Sequence, residues 1–331
     1  MRLKQIPEDF IVTEINELKF SDTGKYCAFT LEKKGWNTID AIKEIANRLG
    51  IKEKDIRYAG LKDKEAVTRQ LITIDLKNPK LIQRLKIKDV SLEFLGMSSR
   101  HTETTDNQGN RFIITIRDID HKFAKLSSFI PNYFDVQRFG NNQNNNLVGK
   151  LIIKKQFKEA CELLSLKSET NDYVGTLKNT GIVHIYFSAY QSYLFNLVLS
   201  SLIIKANSKV FYVDVAGNAL AFPVKAAEIP ESLPLVSFDT VFESENIESE
   251  FQLLLKQDEI TLRDFAIKQF PNLVSSSPSR DSFIKVEDFK ITGCKKDELN
   301  HGKMKQIAEF SLSRGSYATI VIKSLLNADI S

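Results

Sequence analysis

Residues 57–70 read RYAGLKDKEAVTRQ, and the interpretation of the whole chain starts from this stretch. Residues 55–59 and 67–74, on either side of its charged centre, are short and rich in β-branched or aromatic side chains, so both predict strands. The loop between them places Asp63 between two lysines. Taken alone, such a loop is typical of a solvated turn with weak surface ion pairs, and a function for it depends on the surrounding sequence.

Strand patterns continue on both sides of this loop, with one helix among them. Alternating apolar and polar side chains predict further strands at residues 9–15, 25–32, 90–95 and 111–117. A helix is predicted at residues 38–49, with Asn37 as its N-cap and Gly50 at its end. Its apolar face is predicted to consist of Ile39, Ile42, Ile45, Ala46 and Leu49. No glycine-rich phosphate turn follows a strand, which disfavours Rossmann and P-loop folds.

The later part of the chain is mainly helical before strand patterns return. The polar run GNNQNNN at residues 140–146 predicts a junction. The elements predicted beyond it are helices at 155–164 and 188–204, strands at 283–289 and 306–312, and a closing helix at 317–327. This order predicts an α+β fold in which a mixed sheet is flanked by helices and interrupted by a helix-rich α/β insertion domain. The predicted division is residues 1–148 plus 280–331 against residues 149–279.

Charge is distributed unevenly along the chain. The net charge is only +4, but residues 226–259 hold nine acidic residues and one lysine, so the other 297 residues carry +12. A basic body of this kind suits a polyanion such as nucleic acid, although an ordinary solvated basic surface has the same composition.

Several other classes of protein are disfavoured. The three cysteines and four histidines show no CxxC, HxxxH or HExxH spacing, so we expect no metal site. The apolar stretch at 194–204 is too short to cross a bilayer, and the first ten residues contain charges and a proline where a signal peptide needs an apolar run. We therefore expect a cytoplasmic protein with no membrane association.

Six motifs follow one another in a fixed order. They are PEDFIVTE at 7–14, AGLKDKEAVTRQ at 59–70, GNRFIITIRD at 109–118, PNYFDVQRFG at 131–140, SAYQSYLFN at 188–196 and GSYATIV at 315–321. Each alone has an ordinary structural reading, such as a first strand, an aromatic core segment or a strand-to-helix turn. Together they resemble the TruD family of tRNA pseudouridine synthases over nearly the whole chain. AGLKDK followed by AVTRQ is the most specific part, because other pseudouridine synthase families surround their aspartate with different residues.

The resemblance implies a set of site residues. It makes Asp63 the catalytic nucleophile and Lys4 its ion-pair partner. The residues that it places around the target uridine are Phe10, Asn132, Phe134 and Tyr317. Phe134 stands where other pseudouridine synthases have a tyrosine stacked on the base.

The chemistry is consistent with this assignment. Pseudouridine formation breaks the bond from C1′ to N1 and joins C1′ to C5 without redox change, so one carboxylate suffices and we expect no cofactor. The carboxylate can attack C6 of the base or C1′ of the sugar, and the sequence leaves both open. No residue is identified as the base that removes the C5 proton. Stacking on aromatic rings offsets part of the cost of unstacking the uridine.

The resemblance further implies tRNA as the partner, with the uridine at position 13 of the D arm as the target, and we expect a monomer. Two alternatives stay open: an RNA-binding protein that acts on tRNA structure without chemistry, and the same chemistry on additional RNAs. Only an enzyme needs the carboxylate at position 63.

Three departures from the family pattern are visible, one of which is AFPVK at 221–225, where the insertion usually has a GPLxG-like turn. Thr102, Glu103 and Thr104 occupy a segment that usually carries a basic cluster, so we expect fewer phosphate contacts there. Asp135 follows the NYF motif at a position where the family usually has glycine, which predicts an altered backbone in that loop.

Overall fold

The computed structural model describes residues 1–76, 78–123, 126, 130–206, 209–225, 228–273 and 277–327, without the side chains at 83 and 84. The chain forms two compact units. The first consists of Met1–Ala124 and Lys285–Gly315, and the second of Lys125–Ile284 and Ser316–Ser331.

The described residues form fifteen strands, eight α-helices and six short 3₁₀ helices. The strands are β1 Phe10–Asn16, β2 Tyr26–Lys34, β3 Ile56–Tyr58, β4 Val67–Ile74, β5 Val90–Ser98, β6 Asn107–Ile119, β7 Ile130–Pro131, β8 Val210–Val215, β9 Asn218–Pro223, β10 Ser232–Pro234, β11 Ser279–Asp281, β12 Phe283–Ile284, β13 Val286–Ile291, β14 Lys295–Lys296 and β15 Met304–Ser313. The α-helices are α1 Thr38–Leu49, α2 Val136–Phe139, α3 Asn145–Ile153, α4 Phe157–Leu163, α5 Tyr173–Asn179, α6 Val183–Ala206, α7 Glu245–Gln257 and α8 Ala318–Asn327. The 3₁₀ helices are Pro7–Asp9, Glu53–Asp55, Pro79–Arg84, Thr104–Asp106, Leu262–Phe265 and Pro271–Leu273.

A nine-stranded mixed sheet forms the first unit. Its main path runs β13-β15-β6-β1-β4-β2-β5, with β3 paired to β4 and β14 to β15. Only β1 and β4 pair in parallel, with Ile11 opposite Val67, while β1 pairs antiparallel with β6 on its other side. Because β1 and β4 are parallel neighbours, both strands start at the same edge of the sheet. The chain that precedes β1 and the loop that precedes β4 therefore both end at that edge.

Helix α1 covers one face of this sheet and agrees with its prediction. The Asn37 side chain accepts a hydrogen bond from the backbone NH of Asp40 at 2.8 Å, and Gly50 ends the helix with φ at 68°, a left-handed conformation that glycine adopts at no steric cost. Ile42, Ile45 and Ala46 are buried, as are the residues they join in the core, Phe29, Leu31, Ile72 and Ile74. The prediction is wrong for Ile39, whose side chain is 49% exposed.

The second unit is mainly helical. Its strands form three small antiparallel pairs, β7 with β12, β8 with β9, and β10 with β11. Helix α3 packs closely on α6 at Gly149, where an added Cβ would lie 2.1 Å from the backbone oxygen of Tyr186. Helix α6 begins five residues before its predicted start. Its 24 residues are enough to cross a bilayer, but 72% of the 18-residue apolar stretch within it is buried inside the protein. Such burial is typical of the central helix of a packed domain.

Two predicted segments differ from the structure. The predicted strand at 283–289 is interrupted at Lys285, and its two halves, β12 and β13, pair in different units. The polar run at 140–146 contains a turn and the first two residues of α3, and it lies inside the second unit. The predicted domain division at 148 and 280 stays a prediction. Along the chain, the boundaries between the two compact units fall after residues 124, 284 and 315.

One buried charge cluster ties the N-terminal segment to the sheet. Arg117 of β6 is 3% exposed, and its guanidinium bonds the carboxylates of Asp9 and Asp297 at 2.8 Å and of Glu298 at 3.0 Å. Burial alone would raise the pKa of Asp297, but hydrogen bonds from Asp118, Asn300 and Arg117, among others, hold it well below its usual range. Each of the three carboxylates therefore contacts the guanidinium, and the two buried ones share it as their cation.

Replacing Arg117 with methionine would leave two buried carboxylates without their cation. We expect the free energy of unfolding to fall by about 3–5 kcal/mol for Arg117→Met in urea titrations. The matched control is Arg111→Met on the same strand, whose guanidinium pairs with Glu309 but is 57% exposed. Such a surface pair contributes less than about 1 kcal/mol, so equal losses in the two variants would contradict the assignment.

Candidate active site

Asp63 lies in the loop between β3 and β4, and this loop is attached to the sheet at successive residues. The backbone oxygen of Gly60 accepts a hydrogen bond from the side chain of Gln70 at 3.0 Å, and the backbone NH of Lys62 donates to the hydroxyl of Thr38 at 2.9 Å. Thr38 in turn donates to the side-chain oxygen of Gln70 at 3.1 Å. Gln70 of β4 and Thr38, the first residue of α1, therefore hold the loop that presents Asp63.

Two lysines with buried side chains, one in the loop itself and one in β2, anchor it further. Lys62 places its ammonium 2.6 Å from a carboxylate oxygen of Glu14, and these side chains are 8% and 0% exposed. Lys33 of β2, which is fully buried, donates to the backbone oxygens of Lys62 at 3.3 Å and of Asp63 at 2.9 Å. The buried ammonium groups of Lys62 and Lys33 therefore help to position the loop.

The Asp63 carboxylate faces a third lysine. The ammonium of Lys4 is 2.7 Å from a carboxylate oxygen of Asp63, with the two side chains 24% and 27% exposed. The same ammonium is 4.2 Å from the centroid of the Phe10 ring. The structure therefore brings together three of the residues that the sequence predicts, Asp63, Lys4 and Phe10, and the predicted ion pair is present.

The buried Asp9 fixes the segment that carries Lys4. Lys4 itself has φ at 54°, a left-handed conformation that is strained for a lysine. One carboxylate oxygen of Asp9 accepts the backbone NH groups of Gln5 and Ile6, both at 3.1 Å, and the other binds Arg117. The turn from Lys4 to Phe10 is consequently held by a buried ionic contact, which offsets the strain.

Three further predicted residues lie together in the second unit. Phe134 is 2% exposed, and its ring meets the Tyr317 ring edge to face at a centroid distance of 6.0 Å. The Asn196 side chain binds both backbone groups of Phe134, accepting from the NH at 2.9 Å and donating to the oxygen at 2.8 Å. Asn132, two residues earlier, is 5% exposed, and its NH donates to the Ser282 oxygen at 2.8 Å.

Arg280 joins these three residues and was not identified from the sequence. Its guanidinium lies 4.0 Å from the centroid of the Phe134 ring and 6.0 Å from that of Tyr317. It also donates to Asn132 twice, to the backbone oxygen at 2.9 Å and to the side-chain oxygen at 2.6 Å. Burial lowers the pKa of Arg280 to about 10, so it remains charged at neutral pH. A lone arginine beside the SSSP run at 275–278 is a weak sequence signal, and 275 and 276 lie outside the described residues.

The departure at Asp135 is accommodated without strain. Asp135 has φ at −105°, an ordinary extended value, so the expected disturbance of the backbone is absent from this residue. Its carboxylate is buried and lies 2.7 Å from the ammonium of Lys323 in α8. The aspartate therefore contributes an ion pair within the second unit where glycine would contribute none.

The departure at 102–104 also has a structural role. Thr102 is buried, and its backbone NH donates to the hydroxyl of Thr73 at 3.0 Å. The NH of Glu103 donates to Asp106 at 2.8 Å, and Asp106 is paired with Arg100. These contacts form a short capped turn within the first unit.

Part of the acidic segment at 226–259 is paired with lysines of its own unit. The partners are Lys205 for Glu250, Lys150 for Asp258 and Lys154 for Glu259. Residues 226 and 227 lie outside the described residues. Among the residues that the structure does describe, no group of three or more His, Cys, Asp or Glu side chains could hold a metal ion.

Comparisons with known proteins agree with the motifs. A family model described as tRNA pseudouridine synthase D (TruD) matches residues 1–176 and 163–325. A Methanosarcina acetivorans protein named "Probable tRNA pseudouridine synthase D" is 30% identical over 414 aligned residues that cover 99% of this chain and 93% of that protein. A Methanococcus maripaludis protein named "Probable tRNA pseudouridine synthase D 1" is 30% identical over 391 residues, covering 99% of this chain and 100% of its own length.

The fold is similar to that of a solved relative. A crystal structure of a Methanosarcina mazei protein assigned as tRNA pseudouridine synthase D (TruD) superimposes with a TM-score of 0.73 at 26% sequence identity. The match covers 98% of this chain and 93% of the other. The predicted family and fold class are therefore confirmed. The chain belongs to the TruD family of tRNA pseudouridine synthases, which are isomerases.

Proposed function

We propose that this protein converts uridine to pseudouridine at position 13 of the tRNA D arm, with Asp63 as the nucleophile. The observation that carries the proposal is the placement of Asp63. Its carboxylate is a quarter exposed, is bound to the ammonium of Lys4, and sits on a loop whose backbone is held by buried side chains. A nucleophile has to be both accessible and fixed, because misplacing the reacting atom costs rate.

The proposed reaction is an isomerisation in which atoms balance. The bond from C1′ to N1 breaks, C1′ joins C5, the C5 proton leaves to solvent, and N1 gains a proton. The Asp63 carboxylate attacks either C6 of the base or C1′ of the sugar and is regenerated when the new carbon–carbon bond is complete. No oxidant, reductant or outside energy is needed, so we propose that the protein acts without a cofactor. We also propose that it acts as a monomer.

We assign the uracil to Asn132, Phe134 and Tyr317 in the second unit, while the role of Phe10, in the first unit, stays a prediction of the family resemblance. An amide can donate and accept hydrogen bonds at once, which suits the alternating groups on the uracil edge. The guanidinium of Arg280 lies 4.0 Å and that of Arg138 4.9 Å from the centroid of the Phe134 ring, so a base that stacks on the face covered by Arg280 has to displace this arginine. The arginine is then free to bind a phosphate, for which a guanidinium is well suited.

Removing the nucleophile should abolish chemistry and leave RNA binding intact. For Asp63→Asn we expect tritium release from tRNA transcripts labelled at C5 of uridine to fall by at least about a thousandfold. The affinity for the same transcript should change by less than about threefold, because no phosphate contact is removed. The neighbouring Glu65→Gln, which alters an exposed acid, is the matched control.

A transcript with cytidine at position 13 tests the target within the same assay. We expect no tritium release from it with the unaltered protein. Tritium release that persists with this transcript would show that the protein modifies another uridine by the same reaction. Unaltered release by Asp63→Asn would show that Asp63 is not the nucleophile, whereas tight binding without release from any tRNA would favour the non-catalytic RNA-binding alternative.

Stacking by Phe134 should be measurable separately from its packing. Phe134→Leu keeps an apolar side chain but removes the aromatic face, and base stacking on aromatic side chains contributes about 1–3 kcal/mol. We therefore expect kcat/KM to fall by about 5- to 150-fold. Phe139→Leu, another buried phenylalanine of the same segment, controls for the loss of packing. Equal effects of the two substitutions on kcat/KM would show that the Phe134 ring acts through packing alone.

A further inference from the structure

Lys33 is a buried cation whose partners are all backbone oxygens among the contacts described for it. Its side chain lies at 0% exposure near the end of β2. The ammonium donates to the oxygens of Trp36 at 2.7 Å, Asp63 at 2.9 Å and Lys62 at 3.3 Å. An ammonium has three protons, so three acceptors match its full donor capacity. A buried lysine is costly, and its position beneath this loop calls for an explanation.

Two of the three acceptors belong to the loop that carries Asp63. One of them is the backbone oxygen of Asp63 itself, so Lys33 holds the main chain of this residue while Lys4 holds its carboxylate. The third acceptor, the oxygen of Trp36, lies in the segment between β2 and α1. Lys33 therefore fixes the loop to the sheet and to the start of the helix at the same time.

We propose that Lys33 is a positioning residue for the reaction, and that loss of its third N–H proton on deprotonation releases the Asp63 loop and lowers the rate of the chemical step. The proposal rests on the proposed role of Asp63 as the nucleophile. A neutral amine has two N–H donors and one lone pair. One of the three backbone oxygens would then face that lone pair, and the loop has to shift to relieve the repulsion.

The charged groups around Lys33 place this change within an accessible pH range. Burial lowers the pKa of Lys33 to about 8, the Asp63 carboxylate opposes the shift, and the Lys62 ammonium adds to it. Glu14 faces Lys62 from β1, and Lys4 faces Asp63 from the N-terminal segment, so each of these neighbours has a counter-charge of its own.

The pH dependence of stability has the opposite sign, which separates the inference from simple unfolding. The pKa of Lys33 is lower in the folded protein than its ordinary value of 10.5. The unfolded chain therefore binds more protons between those two values, and the contribution of this group to stability rises with pH across that range. Activity should fall where this contribution to stability increases.

The test is a single-turnover tritium-release assay with saturating enzyme from about pH 6.5 to 9.5. For the unaltered protein, a group with a pKa near 8 predicts a rate at pH 9 about tenfold below the rate at pH 7. Lys33→Arg keeps N–H donors that do not titrate in this range, so its rate should not show that fall. Lys33→Met removes the donors, and its rate should be low, by about 10- to 100-fold at pH 7, and insensitive to pH. Titration of the uracil ring is common to all three proteins and cancels when rates are compared.

Lys34→Met is the matched control, because the neighbouring side chain is 42% exposed and pairs with Glu8 at the surface. It should follow the pH profile of the unaltered protein. A wild-type rate for Lys33→Met, or the same alkaline fall in Lys33→Arg as in the unaltered protein, would overturn the inference. Should Lys33→Met fail to fold, the comparison of Lys33→Arg with the unaltered protein still decides. Activity in Asp63→Asn would instead remove the proposed role of Asp63 as the nucleophile, so that failure is distinguishable from a failure of the Lys33 inference.

Discussion

Three cations lie inside the first unit, and the position of Asp63 depends on all of them being hydrogen bonded. A buried charge is tolerated only when its partners compensate for the lost water, so each cation dictates where its acceptors lie. Lys33 and Lys62 fix the loop that carries Asp63. Arg117 fixes Asp9, and Asp9 fixes the turn that brings Lys4 to the carboxylate. Because each buried cation has to be hydrogen bonded, the loop that supplies its acceptors is restricted to one geometry.

In the second unit, amide and guanidinium groups hold Phe134 and Asn132 in place. Asn196 binds both backbone groups of Phe134, and Arg280 covers its ring while binding Asn132. These are directional contacts in a buried setting, where hydrogen bonds are strong and unmet ones are expensive. The residues predicted to receive the uracil are consequently ordered before any RNA arrives. Arg280 takes part in that order through its contacts with Phe134 and Asn132.

Much of the fold follows from local sequence, whereas most of the site does not. The periodicity and caps of α1 and the β-branched composition of β4 are local, and both elements begin and end where the sequence predicts. The break at Lys285 is not local, because both halves of the segment have strand character and only their pairing partners differ. The roles of Lys33, Glu14 and Arg280 depend on partners tens to more than a hundred residues away. The motif order identified Asp63 and Lys4, but only the folded chain relates them to the cations beneath.

In the proposed reaction, the position of the Asp63 carboxylate, and not its charge alone, makes it reactive. Asp63→Glu tests this dependence on position most directly, since the substitution keeps the carboxylate and moves it outward by one methylene. We expect the single-turnover rate of tritium release to fall by at least about a hundredfold while the affinity for tRNA stays within about threefold. A rate for Asp63→Glu close to that of the unaltered protein would show that the loop tolerates a displaced carboxylate, and would contradict the account.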